Sequence, residues 1–248
     1  MPSPRRAPTA LRAPETRRRR QRRFWDARYA EDPDFLGGSE SSFARWCLPR
    51  LRESGARSVT ELGLGCGRDA GFLASRRFKV RGVELSPHGC ECARTRGLSV
   101  EEGDALTYLR AQPSASVDAV YSNLFFNMEF SRKEHEALFA EVARVLRSGG
   151  LHLFSVRSTS DPWYGRGRPR GPDTFDPAPH GAPMHFFSPK YARELLQPRF
   201  RPLALEEVSE GEEEFPIRLL YVAARRRAGQ ASRRLGSPPA PSRDRTHA

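Results

Sequence analysis

Short apolar runs alternate with stretches whose apolar residues recur every three or four positions, and this pattern of strand-like and helix-like periods governs residues 24–224. FWDARYAEDPDF predicts a short amphipathic helix broken at Pro33, and SESSFARWCLPRLRESG a second one capped by Ser41 or Ser42. Val59, Leu62 and Leu64 mark a first strand. Ala70, Phe72, Leu73 and Ala74 then suit a helix packed on a sheet, and Lys79 to Leu85 returns as a second strand. Val117 to Ser122 is a further strand. SRKEHEALFAEVARVLRSGG places Leu138, Val142, Val145 and Leu146 at helical spacing, ends at Gly149 and Gly150, and runs straight into the strand LHLFSV. FRPLALEEVSE and FPIRLLYVAAR both read as strands separated by GEEE, which is too short for a helical crossover and therefore predicts an antiparallel hairpin.

The turn after the first strand carries the candidate chemistry. Gly63, Gly65 and Gly67 stand at alternate positions where the chain must turn sharply and bring bare backbone close to a ligand. The second strand closes on Glu84, a carboxylate able to take both hydroxyls of a ribose. Gly65, Gly67 and Ala70 with Glu84 satisfy the dinucleotide fingerprint only loosely. Glu61 shifts the reading, because it stands two residues before the first glycine and makes the segment Glu-x-Gly-x-Gly-x-Gly. Gly103-Asp104-Ala105 and a third apolar strand follow.

In these residues the chain resembles the class I S-adenosylmethionine-dependent methyltransferases. The resemblance implies an α/β fold: a Rossmann-like, seven-stranded, mostly parallel sheet with a C-terminal antiparallel hairpin and helices on both faces. It also implies S-adenosyl-L-methionine as cofactor, with backbone at Gly63, Gly65 and Gly67 against it. Glu61 then lies near the ammonium group, Glu84 on the ribose, Leu85 on the adenine, Asp104 at the adenine amino group with the Ala105 backbone beside it, and Asn123 at the methionine end. Trp25 to Tyr29, Gly67-Arg68-Asp69 and an insertion after the fifth strand are similar to the tellurite-resistance and thiopurine branch of small-molecule methyltransferases. That likeness adds Trp25 and Tyr29 to the cofactor site and implies direct methyl transfer to a small organic or thiol-like acceptor.

The insertion, residues 160–189, is long and aromatic and reads as a substrate lid. Trp163, Tyr164, Phe186 and Phe187 are its expected walls, and His185 is the candidate catalytic base with Asp161 and Tyr164 beside it; the alternative is that His185 anchors the lid. SNLFF lacks the Asn/Asp-Pro-Pro-Tyr/Phe segment with which many nucleobase and amino-group methyltransferases hold an exocyclic nitrogen. Neither the six His nor the four Cys show metal-ligand spacing, so no metal is expected.

Charge changes the picture only at the ends. The 248 residues carry 42 Lys+Arg against 30 Asp+Glu, for a net +12. Residues 1–23 hold nine Arg and one Glu, residues 225–248 seven Arg and one Asp, and the stretch between is slightly acidic. Both ends lack large apolar residues and are expected to be disordered and dispensable for stability and cofactor binding, leaving 24–224 as one methyltransferase domain. An RNA methyltransferase using the arginine-rich ends, and a non-catalytic cofactor-binding protein, are the alternatives. No stretch nears the roughly 18 apolar residues of a membrane span. A cytoplasmic monomer is expected; an arginine-rich leader also fits a mitochondrial transit peptide.

Overall fold

A computed structural model describes residues 16–176, 182–211 and 216–228 of the chain. α1 (Arg17–Glu31) starts at Thr16, whose side chain accepts from the Arg19 amide, and α2 (Ser42–Glu53) starts at Ser41, whose hydroxyl accepts from the Ala44 amide at 3.0 Å. β1 (Ser58–Leu62) is buried at its last four positions, as a central strand covered on both faces must be. Then follow α3 (Arg68–Ser75), β2 (Lys79–Glu84), α4 (Pro87–Thr95), β3 (Ser99–Glu102), α5 (Ala105–Ala111) and β4 (Val117–Asn123). A short 3-10 turn at Phe125–Asn127 leads to α6 (Arg132–Val145), opened by a capping box between Ser131 and Glu134. β5 (Leu146–Arg157), β6 (Arg168–Gly171), β7 (Thr174–Asp176), β8 (Met184–His185), α7 (Pro189–Leu196), β9 (Phe200–Glu210) and β10 (Ile217–Arg226) complete the order.

Seven strands form one sheet in the order β3-β2-β1-β4-β5-β10-β9. The first five run parallel, and β10 pairs antiparallel with both β5 and β9, so the expected hairpin closes the sheet. Strand order reverses between β1 and β4, which opens a crevice beyond their carboxyl ends. One face carries a core built on Leu138, Phe139, Val142 and Phe154; the other face packs Phe43, Leu51, Leu73, Tyr121 and Tyr221. Helices therefore cover both sides. Among the described residues no helix is long and apolar enough to cross a membrane, and no group of His, Cys, Asp and Glu is arranged to hold a metal.

Three expectations need correction. α6 stops at Val145 and β5 begins at Leu146, so Gly149 and Gly150 lie inside the strand and do not terminate the helix. A Cβ on Gly150 would stand 2.8 Å from the Asp118 carbonyl, a close approach of two strands that only glycine permits. Secondly, the N-terminal helix starts at Arg17, so Arg17 to Arg23 belong to the folded domain. Their charges meet carboxylates on the body: Arg17 pairs with Glu134 (3.3 Å), Arg18 with Asp104, Arg20 with Glu129, and Arg22 with Glu102 (2.5 Å). The remaining parts of both arginine-rich ends, and the loop bearing Glu212 to Glu214, lie outside the described residues. Thirdly, the insertion contains a small antiparallel sheet, β6-β7-β8. Asp161 ties its start down by accepting from Arg157 (2.7 Å), the Trp163 amide (2.9 Å) and the Arg218 amide (2.8 Å).

His152 is fully buried among Phe126, Phe139, Phe154 and Phe200, with ring centroids 4.8 to 5.8 Å away and neither nitrogen hydrogen-bonded among the described residues. Burial pushes its pKa down to about 3. Because the unfolded imidazole titrates near its ordinary value of 6.5, the folded state loses stability as pH falls below that value towards 3. One such group costs about 1.4 kcal/mol per pH unit in that window. His152→Phe is expected to show a smaller fall in Tm between pH 7 and pH 5 than the unmodified chain, measured by calorimetric unfolding.

Candidate active site

The crevice is shaped first by the glycine turn. Gly63, Gly65 and Gly67 have φ of +70°, +58° and +83°, a region that side chains disfavour. A Cβ on Gly65 would lie 2.4 Å from the Tyr29 hydroxyl, and one on Gly63 2.9 Å from the Phe125 ring. The turn is held to β2 by Glu84: its Oε2 accepts from the Gly65 amide (2.9 Å) and its Oε1 from the Ser86 amide (2.8 Å). Burial raises this carboxyl's pKa, and the backbone donors at Ser86, Gly65 and Leu85 pull against that.

Beyond the carboxyl ends of β1, β2 and β4 lies a cavity of about 450 Å³. Tyr29, Trp25, Gln21 and Arg18 of α1 line it as a roof, and Trp25 donates from Nε1 to the Met128 sulfur at 3.0 Å. At one end Asp104 caps α5 through the Thr107 amide (3.0 Å) while pairing with Arg18. The other end is polar. Glu61 is 3% exposed, and its Oε2 has no partner among the described residues. Desolvation, then the charge of Asp69, holds its pKa well above the usual carboxylate range. Asp69 is a buried hub, accepting from the Ser41 amide and hydroxyl (both 2.8 Å), Tyr121 hydroxyl (2.7 Å) and Asn123 Nδ2 (3.1 Å). Arg68 pairs with it at 3.4 Å, and Glu210, its pKa raised by burial, closes the same wall.

Trp25, Tyr29, Glu61, Gly63, Gly65, Glu84, Leu85, Asp104, Ala105 and Asn123 all line this one cavity. Gly67 does not line it. It caps α3, and a Cβ there would strike Leu98 at 2.1 Å, so its glycine serves the turn. Sequence reasoning missed Arg18 and Gln21, hidden in an arginine run, and Glu210, and it gave Asp69 no role in the site, since that role lies in contacts across 28 and more residues.

A second cavity, about 550 Å³, shares Trp25, Leu36, Leu124 and Met128 with the first. Phe24, Arg28, Phe35, Asn127, Arg157 and Met184 also line it. Among the described residues, the insertion reaches it through Ala182, Pro183 and Met184. Phe186 and Phe187 are instead fully buried, and Tyr164 is 38% exposed with its hydroxyl on Asp173. His185, the expected base, lines neither cavity: Nδ1 bonds the Thr174 hydroxyl (2.8 Å), its carbonyl accepts from Asn127 (2.6 Å), and its ring packs on His135, Phe187 and Tyr191. Burial lowers its pKa to about 4, so it is neutral near pH 7. Alternation along β8 buries the ring against the hydrophobic body and leaves Met184 towards the cavity, which corrects its catalytic assignment.

Residues 59–150, which hold the glycine turn, Glu84, Asp104 and β4, match a family described as methyltransferase domain. Residues 59–150 are a methyltransferase domain. No curated protein matches the chain. Among solved structures it is similar to a methyltransferase from Methanosarcina mazei, with 18% identity, 72% of this chain and 97% of that one covered, and a TM-score of 0.63. Burkholderia thailandensis 1,6-didemethyltoxoflavin-N1-methyltransferase, with its substrate and S-adenosylhomocysteine bound, shares 17% identity over 88% and 94% with a TM-score of 0.63. TehB from Haemophilus influenzae shares 14% over 82% and 67%, with a TM-score of 0.57. These likenesses show a common fold, and TehB is no nearer than the others.

The methyltransferase cavity fits the cofactor on its own terms. An unpaired buried carboxyl at Glu61 stands ready for an ammonium group, Arg68 beside it for a carboxylate, and the paired Glu84 for vicinal hydroxyls. The bound sulfonium supplies an already activated methyl group, so the residues around it have only to align the two reactants and exclude water. If Glu61 meets the ammonium, its raised pKa falls on binding; the complex then holds fewer protons and affinity rises with pH. Calorimetry of S-adenosylhomocysteine in buffers of different ionisation enthalpy, run over a series of pH values, is expected to show a proton release that Glu61→Gln abolishes. Deleting residues 1–23 removes Arg18 and Gln21 from the roof and is expected to weaken S-adenosylhomocysteine by about tenfold or more in the same assay.

Proposed function

We propose that the chain transfers a methyl group directly from S-adenosylmethionine to a small organic or thiol-like acceptor seated in the second cavity. The observation that carries this reading is the shared wall: Trp25, Leu36, Leu124 and Met128 border both cavities, so donor and acceptor are brought side by side in a site screened by α1. Phe24, Trp25 and Phe35 suit the face of a planar molecule, and Met128 and Met184 adapt to its outline. The Burkholderia neighbour's name specifies a small-molecule acceptor, 1,6-didemethyltoxoflavin, for that enzyme. The described residues lining the cavity include Arg28 and Arg157 but no carboxylate or imidazole, which favours an acceptor whose lone pair is available without a base. A thiolate meets that condition: its electron pair forms the new sulfur–carbon bond as the sulfonium carbon–sulfur bond breaks, and no proton moves.

The nucleic-acid reading gains nothing from α1, because Arg17, Arg18, Arg20 and Arg22 are spent on the domain's own carboxylates. The test is incubation of the chain with radiolabelled S-adenosylmethionine and a fractionated cell extract, followed by a panel of aryl thiols and nitrogen heterocycles. Label is expected in small molecules, and label confined to RNA overturns the reading. With an acceptor in hand, Phe35→Ala is expected to raise its KM about tenfold and to weaken S-adenosylhomocysteine by less than that.

A further inference from the structure

We propose that Gln21 is a further cofactor-contact residue, its side-chain amide donating from Nε2 to a ring nitrogen of the adenine. Arg18, Gln21, Trp25 and Tyr29 follow one another at three, four and four residues, so a single stripe of α1 lies along the cofactor cavity. Both ends of that stripe are fixed. Arg18 pairs with Asp104, and Tyr29 packs against the bare backbone of Gly65 and Gly89. Asp104 is the end that the likeness to methyltransferases gives to the adenine, and Glu84, beside Tyr29, the end it gives to the ribose. A helix rises about 1.5 Å per residue, so Gln21 stands roughly one turn from the Arg18–Asp104 pair, on the adenine side.

The second observation is the state of Gln21 itself. It is 4% exposed, in a helix whose other members of the Arg17–Arg23 run are all arginines, and its Nε2 is buried without a hydrogen-bond partner among the described residues. A buried amide donor is normally satisfied, and one that faces a binding cavity is completed by what binds there. Adenine presents ring nitrogens that only accept and an amino group that donates. The Asp104 carboxylate only accepts and so answers only the amino group, and Arg18 is held on that same carboxylate. The Ala105 backbone N–H beside Asp104 answers one ring nitrogen, and Gln21 is the side chain at this end of the cavity with a buried neutral donor to give to another. The arginine-rich helix thus reads the base as well as covering it.

The inference rests on S-adenosylmethionine as donor and on the adenine lying at Asp104. The experiment is calorimetric binding to the full chain of S-adenosylhomocysteine and of three analogues in which ring nitrogen N1, N3 or N7 is replaced by CH. One analogue is expected to bind the unmodified chain about tenfold more weakly than the parent. Gln21→Leu is expected to bind the parent about tenfold more weakly and to lose the distinction between parent and that analogue. Equal binding of all three analogues and the parent to the unmodified chain overturns the proposal, and needs no variant to fold. So does a Gln21→Leu chain that binds the parent as the unmodified chain does. Absence of any S-adenosylhomocysteine binding overturns the cofactor assignment itself, a separate outcome.

Discussion

The carboxylate of Glu84, buried at the end of β2 and held by the amides of Gly65 and Ser86, is the constraint on which the site depends. An unpaired buried carboxylate is costly, and two backbone donors at 2.8 to 2.9 Å are what make its place tolerable. To point its amide at Glu84, Gly65 must hold a positive φ, which leaves it without a Cβ and opens the surface on which the Tyr29 hydroxyl rests. Tyr29 in turn sets where α1 crosses the cavity. Strand end, turn and roof are thus one connected arrangement, and the side of Glu84 left facing the cavity is the part available to a ligand.

The second determinant is electrostatic. α1 has little amphipathic character in its first half, which is almost entirely arginine, and it stays on the body because Glu102, Asp104, Glu129 and Glu134 lie beneath it. Exposed ion pairs contribute at most about 1 kcal/mol each, so no single pair docks the helix. The Arg20–Glu129 pair is the most sheltered of the four, and the aromatic contacts of Trp25 and Tyr29 with Phe35 add apolar burial at the other end. Part of the chain's large positive charge is thereby neutralised within the fold. Salt therefore acts on the roof of the cofactor site more than on the sheet.

On the acceptor side the insertion does something other than its composition suggests. Its aromatic residues mostly serve cohesion: Phe186 and Phe187 are swallowed by the body, and His185 is locked between the Thr174 hydroxyl and the ring of His135. The cavity instead draws its aromatic wall from the N-terminal segment, at Phe24, Trp25 and Phe35. The two cavities consequently share one element, α1, in their walls.

Local patterning by itself determined α2, β1, α3, β2, β4 and the closing hairpin of β9 and β10. Alternate glycines, the acid closing β2, the strand periods and the short link between the last two strands each act over a few residues, where backbone sterics and hydrophobic period dominate. Glu61, Gly63, Gly65, Glu84, Leu85, Asp104, Ala105 and Asn123, singled out by the resemblance, sit at or just beyond strand ends and line one cavity. What only the tertiary structure decided are contacts between distant segments. Arg17 to Arg23 read as a solvated tail until four carboxylates, up to 117 residues away in sequence, come beneath them. Asp69 is only part of a Gly-Arg-Asp likeness until Ser41, Tyr121 and Asn123 converge on it. His185 reads as a base until β8 turns its ring into the body. A charge, a hydroxyl or an imidazole has its role set by what surrounds it, and those surroundings are assembled only when the sheet and its helices close.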